Sequence, residues 1–193
     1  KLTLSTRLGE LFPDVPKDKR PITIEDLLGH TSGLGSTYAA DGETDRDRAV
    51  NKLLAQPLAS APGEKFSYSD DGYVMLAAVI EIASSMSYES YMWESGVLDP
   101  SRMNHTYLWA YARAADFSRP LDTRLRRPQW GQRGSGGILC NAYDLYWWAA
   151  RFLEGQPARY IMEEITRPRV RTNDGLGVGY GWFWTDPDSD RGV

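Results

Sequence analysis

Gly72-Tyr73-Val74-Met75-Leu76-Ala77-Ala78-Val79-Ile80-Glu81-Ile82-Ala83-Ser84 is the stretch on which the fold turns. Nearly every residue in it is apolar, and Glu81 is the single charge. A helix that is apolar on all sides is buried on all sides, so this segment is expected to be the spine of the domain. Asp70 or Asp71 is expected to cap its start, at the positive end of its dipole.

Working outward, further helices are marked by caps or by apolar stripes. Pro21 to Gly33 holds a short one, capped by Thr23, with Glu25 and Asp26 in its first turn and Leu27-Leu28 facing inward. Asp45 to Gln56 buries Ala49, Val50, Leu53 and Leu54, and Ala61-Pro62-Gly63-Glu64 is a turn. Ser87 caps a helix through Trp93, closed by Gly96 and Pro100. Asn141 caps another from Ala142 to Leu153, and Pro157 to Thr166 forms the last. Residues 1–20, with the apolar patch Leu8 to Pro13, read as a connecting segment, and 101–134 as a long surface-wrapping connection. Val178-Gly179-Tyr180-Gly181-Trp182-Phe183-Trp184 alternates glycine with aromatics and reads as one strand. The expected class is α+β: a helical region over about 21–166, and at 178–184 the start of an antiparallel sheet largely supplied from outside these residues. Lys1 to Val193 thus reads as one partial domain, cut at both ends.

Composition narrows the function. The 193 residues carry 22 Lys+Arg against 26 Asp+Glu, a net charge of −4 with scattered arginines, which argues against a nucleic-acid partner. With 41% hydrophobic residues and seven Trp, disorder is not expected. No run approaches the roughly 18 apolar residues of a membrane helix. Two His and one Cys make a zinc site improbable, and no cofactor motif occurs.

Three places could hold chemistry. In Phe66-Ser67-Tyr68-Ser69-Asp70-Asp71-Gly72-Tyr73 a tyrosine stands just before the positive end of a buried helix and beside an acid. A helix N-terminus and a nearby cation would stabilise the phenolate and suit it to proton transfer. The plain alternative is a tyrosine packed at a helix entrance with Asp70 as an ordinary cap, and residue types alone favour it. In Ile22 to Leu34, His30 beside Thr31, Ser32 and Gly33 could be a base, but no separate nucleophile accompanies it. A polar helix terminus, with His30 and the hydroxyls satisfying the last carbonyls, is the simpler reading. Arg133-Gly134-Ser135-Gly136-Gly137 is neither a Gly-x-Ser-x-Gly elbow nor a phosphate loop, and reads as a glycine-rich corner.

Taken in order, these segments resemble the serine β-lactamase-like superfamily of class C β-lactamases, D,D-carboxypeptidases and related esterases and peptidases. The resemblance rests on Ile22 to Leu34 (ITI-x-x-LL-x-HTSGL), Phe66 to Ile80 (F-x-YSN-x-GY), Leu98 to Thr106 (PLGM-x-x-T), Gly136 to Phe152 (GG-L-x-ST-x-x-DL) and Gly179 to Trp182 (GYGLGW). It implies a serine acyl-transfer hydrolase working through an acyl-enzyme on a small-molecule or peptide-like substrate, with no cofactor or metal. Many members are exported, which points to a periplasmic or secreted setting. Of the family's three site motifs, only Tyr-x-Asn has a counterpart, Tyr68-Ser69-Asp70, with Asp70 where Asn is usual. Tyr68 and Asp70 are therefore the expected catalytic residues, Tyr68 as acid/base. No Lys follows a serine by three, and neither Lys-Thr-Gly nor His-x-Gly occurs. In the family those motifs flank segments like this one, so an internal fragment is expected, inactive alone. The rival expectation is a non-catalytic relative that binds peptidoglycan-like or protein partners through the same cleft.

Overall fold

The computed structural model describes residues 1–99, 101–108, 129–154 and 158–185. Among these lie seven α-helices, a 3-10 turn at Trp130–Gln132 and two small antiparallel sheets: α1 (Leu8–Leu11), α2 (Ile24–Leu28), α3 (Arg46–Leu54), α4 (Asp70–Ser84), α5 (Tyr88–Glu94), β1 (Tyr107–Leu108), β2 (Ile138–Leu139), α6 (Ala142–Glu154), α7 (Ala158–Thr166), β3 (Val170–Arg171), β4 (Gly177–Val178) and β5 (Phe183–Trp184). Most of the expected connection over 101–134 lies outside the described residues.

The caps determine where the helices begin. Thr23 Oγ1 accepts from the Asp26 N–H, and Asp26 in turn accepts from the Thr23 N–H, so α2 starts with a reciprocal pair. Asp45, Ser87 and Asn141 each accept a backbone N–H three residues on, and so start α3, α5 and α6. The expected cap of α4 is corrected. Ser69 Oγ accepts from the Gly72 N–H at 2.8 Å, while Asp70 and Asp71 sit inside the first turn. Asp71 is instead buried against Thr37, accepting its N–H at 3.1 Å and its hydroxyl at 2.6 Å.

Helix α4 is the spine. Val74, Met75, Ala77, Ala78 and Val79 are buried, and half-buried Leu76, Ile80 and Ile82 pack against the same core. Around them close Leu8, Ile22, Leu27, Leu34, Leu53 and Trp130. Glu81 earns its place in this apolar run: it accepts the Tyr88 N–H that opens α5, at 2.8 Å, and pairs with Arg46 of α3 at 3.5 Å. Gly134 also touches the spine. Its φ is +78°, and a Cβ there would meet the Tyr73 carbonyl oxygen at 2.2 Å, so the glycine-rich corner is a close approach of two backbones.

Two expectations about irregular segments are corrected. Leu8 to Leu11 is a helical turn rather than a connection, held because Leu8 is fully buried and its N–H donates to the Ile22 carbonyl. Residues 178–184 are not one strand. The chain reverses between β4 and β5, which pair Val178 with Phe183, and β4 also pairs with β3. Gly181 supplies the left-handed residue (φ +77°) and the Gly179 N–H donates to the Trp182 carbonyl, closing the turn. The same turn packs on the helices: a Cβ on Gly181 would lie 3.1 Å from the Tyr73 hydroxyl.

Candidate active site

The site forms where the segment after α2 crosses the entrance of α4. The Ser67 N–H donates to the His30 carbonyl at 2.8 Å and the Ser69 N–H to His30 Nδ1 at 3.1 Å. Ser69 Oγ donates to the Gly35 carbonyl at 2.8 Å, and the Asp70 N–H to Ser36 Oγ at 2.9 Å. Gly33 lets this segment pass: its φ is +77° and a Cβ would meet the Ser60 carbonyl oxygen at 2.2 Å. The backbone of Tyr68-Ser69-Asp70 is therefore fixed from outside its own helix.

Above this frame stands Tyr68, 52% exposed, its hydroxyl donating to Asp70 Oδ1 at 3.2 Å. Its ring stacks on His30 (4.7 Å, 30°), and His30 stacks on Tyr73 (4.8 Å, 24°). Tyr73 is tied down by donating to the Leu28 carbonyl at 3.0 Å. Phe66 meets His30 edge-on and links it to Phe183 of β5. The sheet is joined to α2 a second way, since the Tyr180 hydroxyl donates to Glu25 at 2.7 Å.

Partial burial and the Asp70 carboxylate push the Tyr68 phenol above its ordinary range, opposite to the lowering that a nearby cation would bring. Burial pushes Tyr73 up to about 12. His30, only 3% exposed, is held below the usual imidazole value by desolvation, against the opposing pull of Asp70. It is thus a neutral ring whose Nδ1 accepts and whose Nε2 carries the proton. His30 does not satisfy helix carbonyls with its side chain, as the simpler reading held; Thr31 Oγ1 turns to Asp26 instead. Sequence alone does not mark Ser36 or Tyr73 as site residues, and a plain helix terminus accounts for the pattern at His30. Their roles depend on contacts 34 to 45 residues apart, for which no local pattern exists.

Sequence places Tyr68 and Asp70 together, and the fold keeps them together. A phenol, a carboxylate and a rigid turn at the mouth of a buried helix form an arrangement suited to moving a proton. Residues 1–193 match the Beta-lactamase family model over their whole length. The chain belongs to the Beta-lactamase family. It is 25% identical to PbpX of Bacillus subtilis (strain 168) over 188 residues, 92% of this chain and 47% of that protein. It is 33% identical to the teichoic acid D-alanine hydrolase of Staphylococcus aureus over 91 residues, 47% of this chain and 22% of that one. Among solved structures, the penicillin-binding protein of Bacillus halodurans superposes with a TM-score of 0.75 at 21% identity, covering 97% of this chain and 64% of that one. The chain therefore spans about half the length of PbpX and less of the Staphylococcus relative. Its helices and small antiparallel sheets are part of the β-lactamase and penicillin-binding-protein fold. Among the described residues no helix is long and apolar enough to cross a membrane.

Proposed function

We propose that residues 1–193 are part of a serine acyl-transfer hydrolase that acts on ester, amide or β-lactam carbonyls through an acyl-enzyme. The observation that carries this reading is Tyr68: a half-exposed phenol on a turn clamped by His30, Gly35 and Ser36, facing Asp70. Family membership, and the hydrolase named among its relatives, point the same way. In this reading a serine outside residues 1–193 attacks the carbonyl and a lysine three residues after it lies near Tyr68. That ammonium would offset Asp70 and bring the phenol back toward a usable range. Tyr68 takes the serine proton and returns it to the leaving group, while backbone N–H groups hold the oxyanion. Asp70 accepts hydrogen bonds where an Asn would also donate, so it favours a cation, the lysine or an ammonium on the substrate.

The serines within the chain are poor rivals for the nucleophile. Ser69 is fully buried as the α4 cap, Ser32 is buried with its Oγ accepting from the Leu34 N–H, and neither they nor Ser135 precede a lysine by three. The test is intact-mass analysis of the full-length protein after incubation with a chromogenic ester and with a penicillin. A stoichiometric acyl adduct on a serine outside residues 1–193 supports the reading. An adduct on Ser32, Ser69 or Ser135 contradicts the assignment, and neither turnover nor adduct leaves a binding protein that uses the same cleft.

A further inference from the structure

We propose that His30 is the positioning residue for Tyr68, setting where the phenol stands without itself touching substrate. The inference rests on the acid–base reading of Tyr68. His30 grips both neighbours of that tyrosine: its carbonyl accepts from the Ser67 N–H and its Nδ1 from the Ser69 N–H. Its ring then lies against the Tyr68 ring at 4.7 Å and also stacks on Tyr73 at 4.8 Å. Tyr68 is otherwise half-exposed, and its hydroxyl bond to Asp70, at 3.2 Å, joins it to a residue of its own turn. Gly35 and Ser36 hold the backbone that follows, and His30 adds to its two backbone bonds a stack on the Tyr68 ring itself.

The backbone at His30 is consistent with such a role. Its φ is +56°, a left-handed conformation that residues with a side chain seldom adopt and that persists where the surroundings fix it. The ring has to be neutral, because an imidazolium would turn Nδ1 into a donor facing the donor N–H of Ser69. Burial among Phe66, Tyr68 and Tyr73 favours that neutral form, and Asp70 is the charged group that opposes it. A histidine that merely filled space would need neither the accepting nitrogen nor the parallel stack.

The test is a double-mutant cycle in the full-length protein, read as the acylation rate with a chromogenic ester. His30→Asn keeps a residue that tolerates the left-handed backbone but removes the ring. It is expected to lower kcat by about 10- to 100-fold with KM little changed, the scale of a misplaced catalytic group. In a Tyr68→Phe background the same change should cost nothing further, since there is no phenol left to position. An equal loss in both backgrounds, or no loss with Tyr68 present, overturns the proposal while leaving the Tyr68 reading intact. If Tyr68→Phe alone leaves acylation unchanged, that reading falls and His30 falls with it. Should His30→Asn not fold, nitrogen-15 histidine spectra of the unaltered protein decide. An acceptor-type Nδ1 with ring-to-ring Overhauser contacts to Tyr68 supports the proposal, and a protonated Nδ1 or missing contacts overturn it.

Discussion

At the scale of the residue, the site is a contest of charges around one phenol. Asp70 accepts the Tyr68 hydroxyl and, with burial, raises its pKa, so neutralising that carboxylate should lower it. Asp70→Asn is therefore expected to shift the Tyr68 titration downward, followed by tyrosinate absorbance against Tyr68→Phe. Stability should change by no more than about 0.3–1 kcal/mol, the worth of a charge near a helix N-terminus, because the cap is Ser69. An unmoved titration would detach Asp70 from the phenol. His30 makes a prediction of opposite kind. Its folded pKa lies below the unfolded value of 6.5, so below that pH the unfolded chain takes up a proton that the folded one refuses. Stability is fully present above 6.5 and is lost as pH falls toward the folded pKa. Chemical denaturation from pH 7.5 to 5 should show this loss in the unaltered protein and less of it in His30→Asn. Tyr68 and Asp70 were legible because they are neighbours in a patterned turn. His30 was visible as a residue but not as a partner, since its bond to Ser69 spans 39 positions.

At the scale of the element, the apolar run Gly72 to Ser84 announces α4, the caps Thr23, Ser87 and Asn141 announce three more helices, and the stripe Ala49, Val50, Leu53 and Leu54 announces α3. The cap of α4 itself was misread because Ser69, Asp70 and Asp71 are all good capping residues in a row. Only the bonds of Asp71 to Thr37, of the Asp70 N–H to Ser36 and of Ser69 to Gly35, each spanning 34 positions, separate them. Ser69→Ala should then cost about 1 kcal/mol, the usual worth of such a cap, since the Gly35 carbonyl loses the Ser69 hydroxyl but still accepts the Asp71 N–H. Urea unfolding measures this, and a cost near zero would return the cap to an aspartate. The segment 178–184 shows a different failure. Alternating glycine and aromatics has the period of a strand, yet Gly181 uses its freedom to turn the chain instead.

At the scale of the whole molecule, the small sheet is fastened to the helical part beside the site. Tyr180 donates to Glu25 of α2, Arg169 lies 4.3 Å over the Tyr180 ring, and Arg169 bonds Glu164 of α7 at 2.6 Å. Burial and Glu25 push the Tyr180 hydroxyl up to about 12, so the link is a neutral donor throughout the physiological range. Tyr180→Phe should cost on the order of 1 kcal/mol, the net worth of one such bond to a partly exposed carboxylate, without changing the acylation rate. Unfolding curves and single-turnover kinetics on the same variant check both halves. The central claim, that Tyr68 carries the proton in acyl transfer, is tested most directly by the single-turnover acylation rate of Tyr68→Phe in the full-length protein. A fall of roughly 10²–10⁴-fold, with the fold intact by circular dichroism, is the predicted result. An acylation rate equal to that of the unaltered protein would contradict it and leave Tyr68 as packing at a helix entrance.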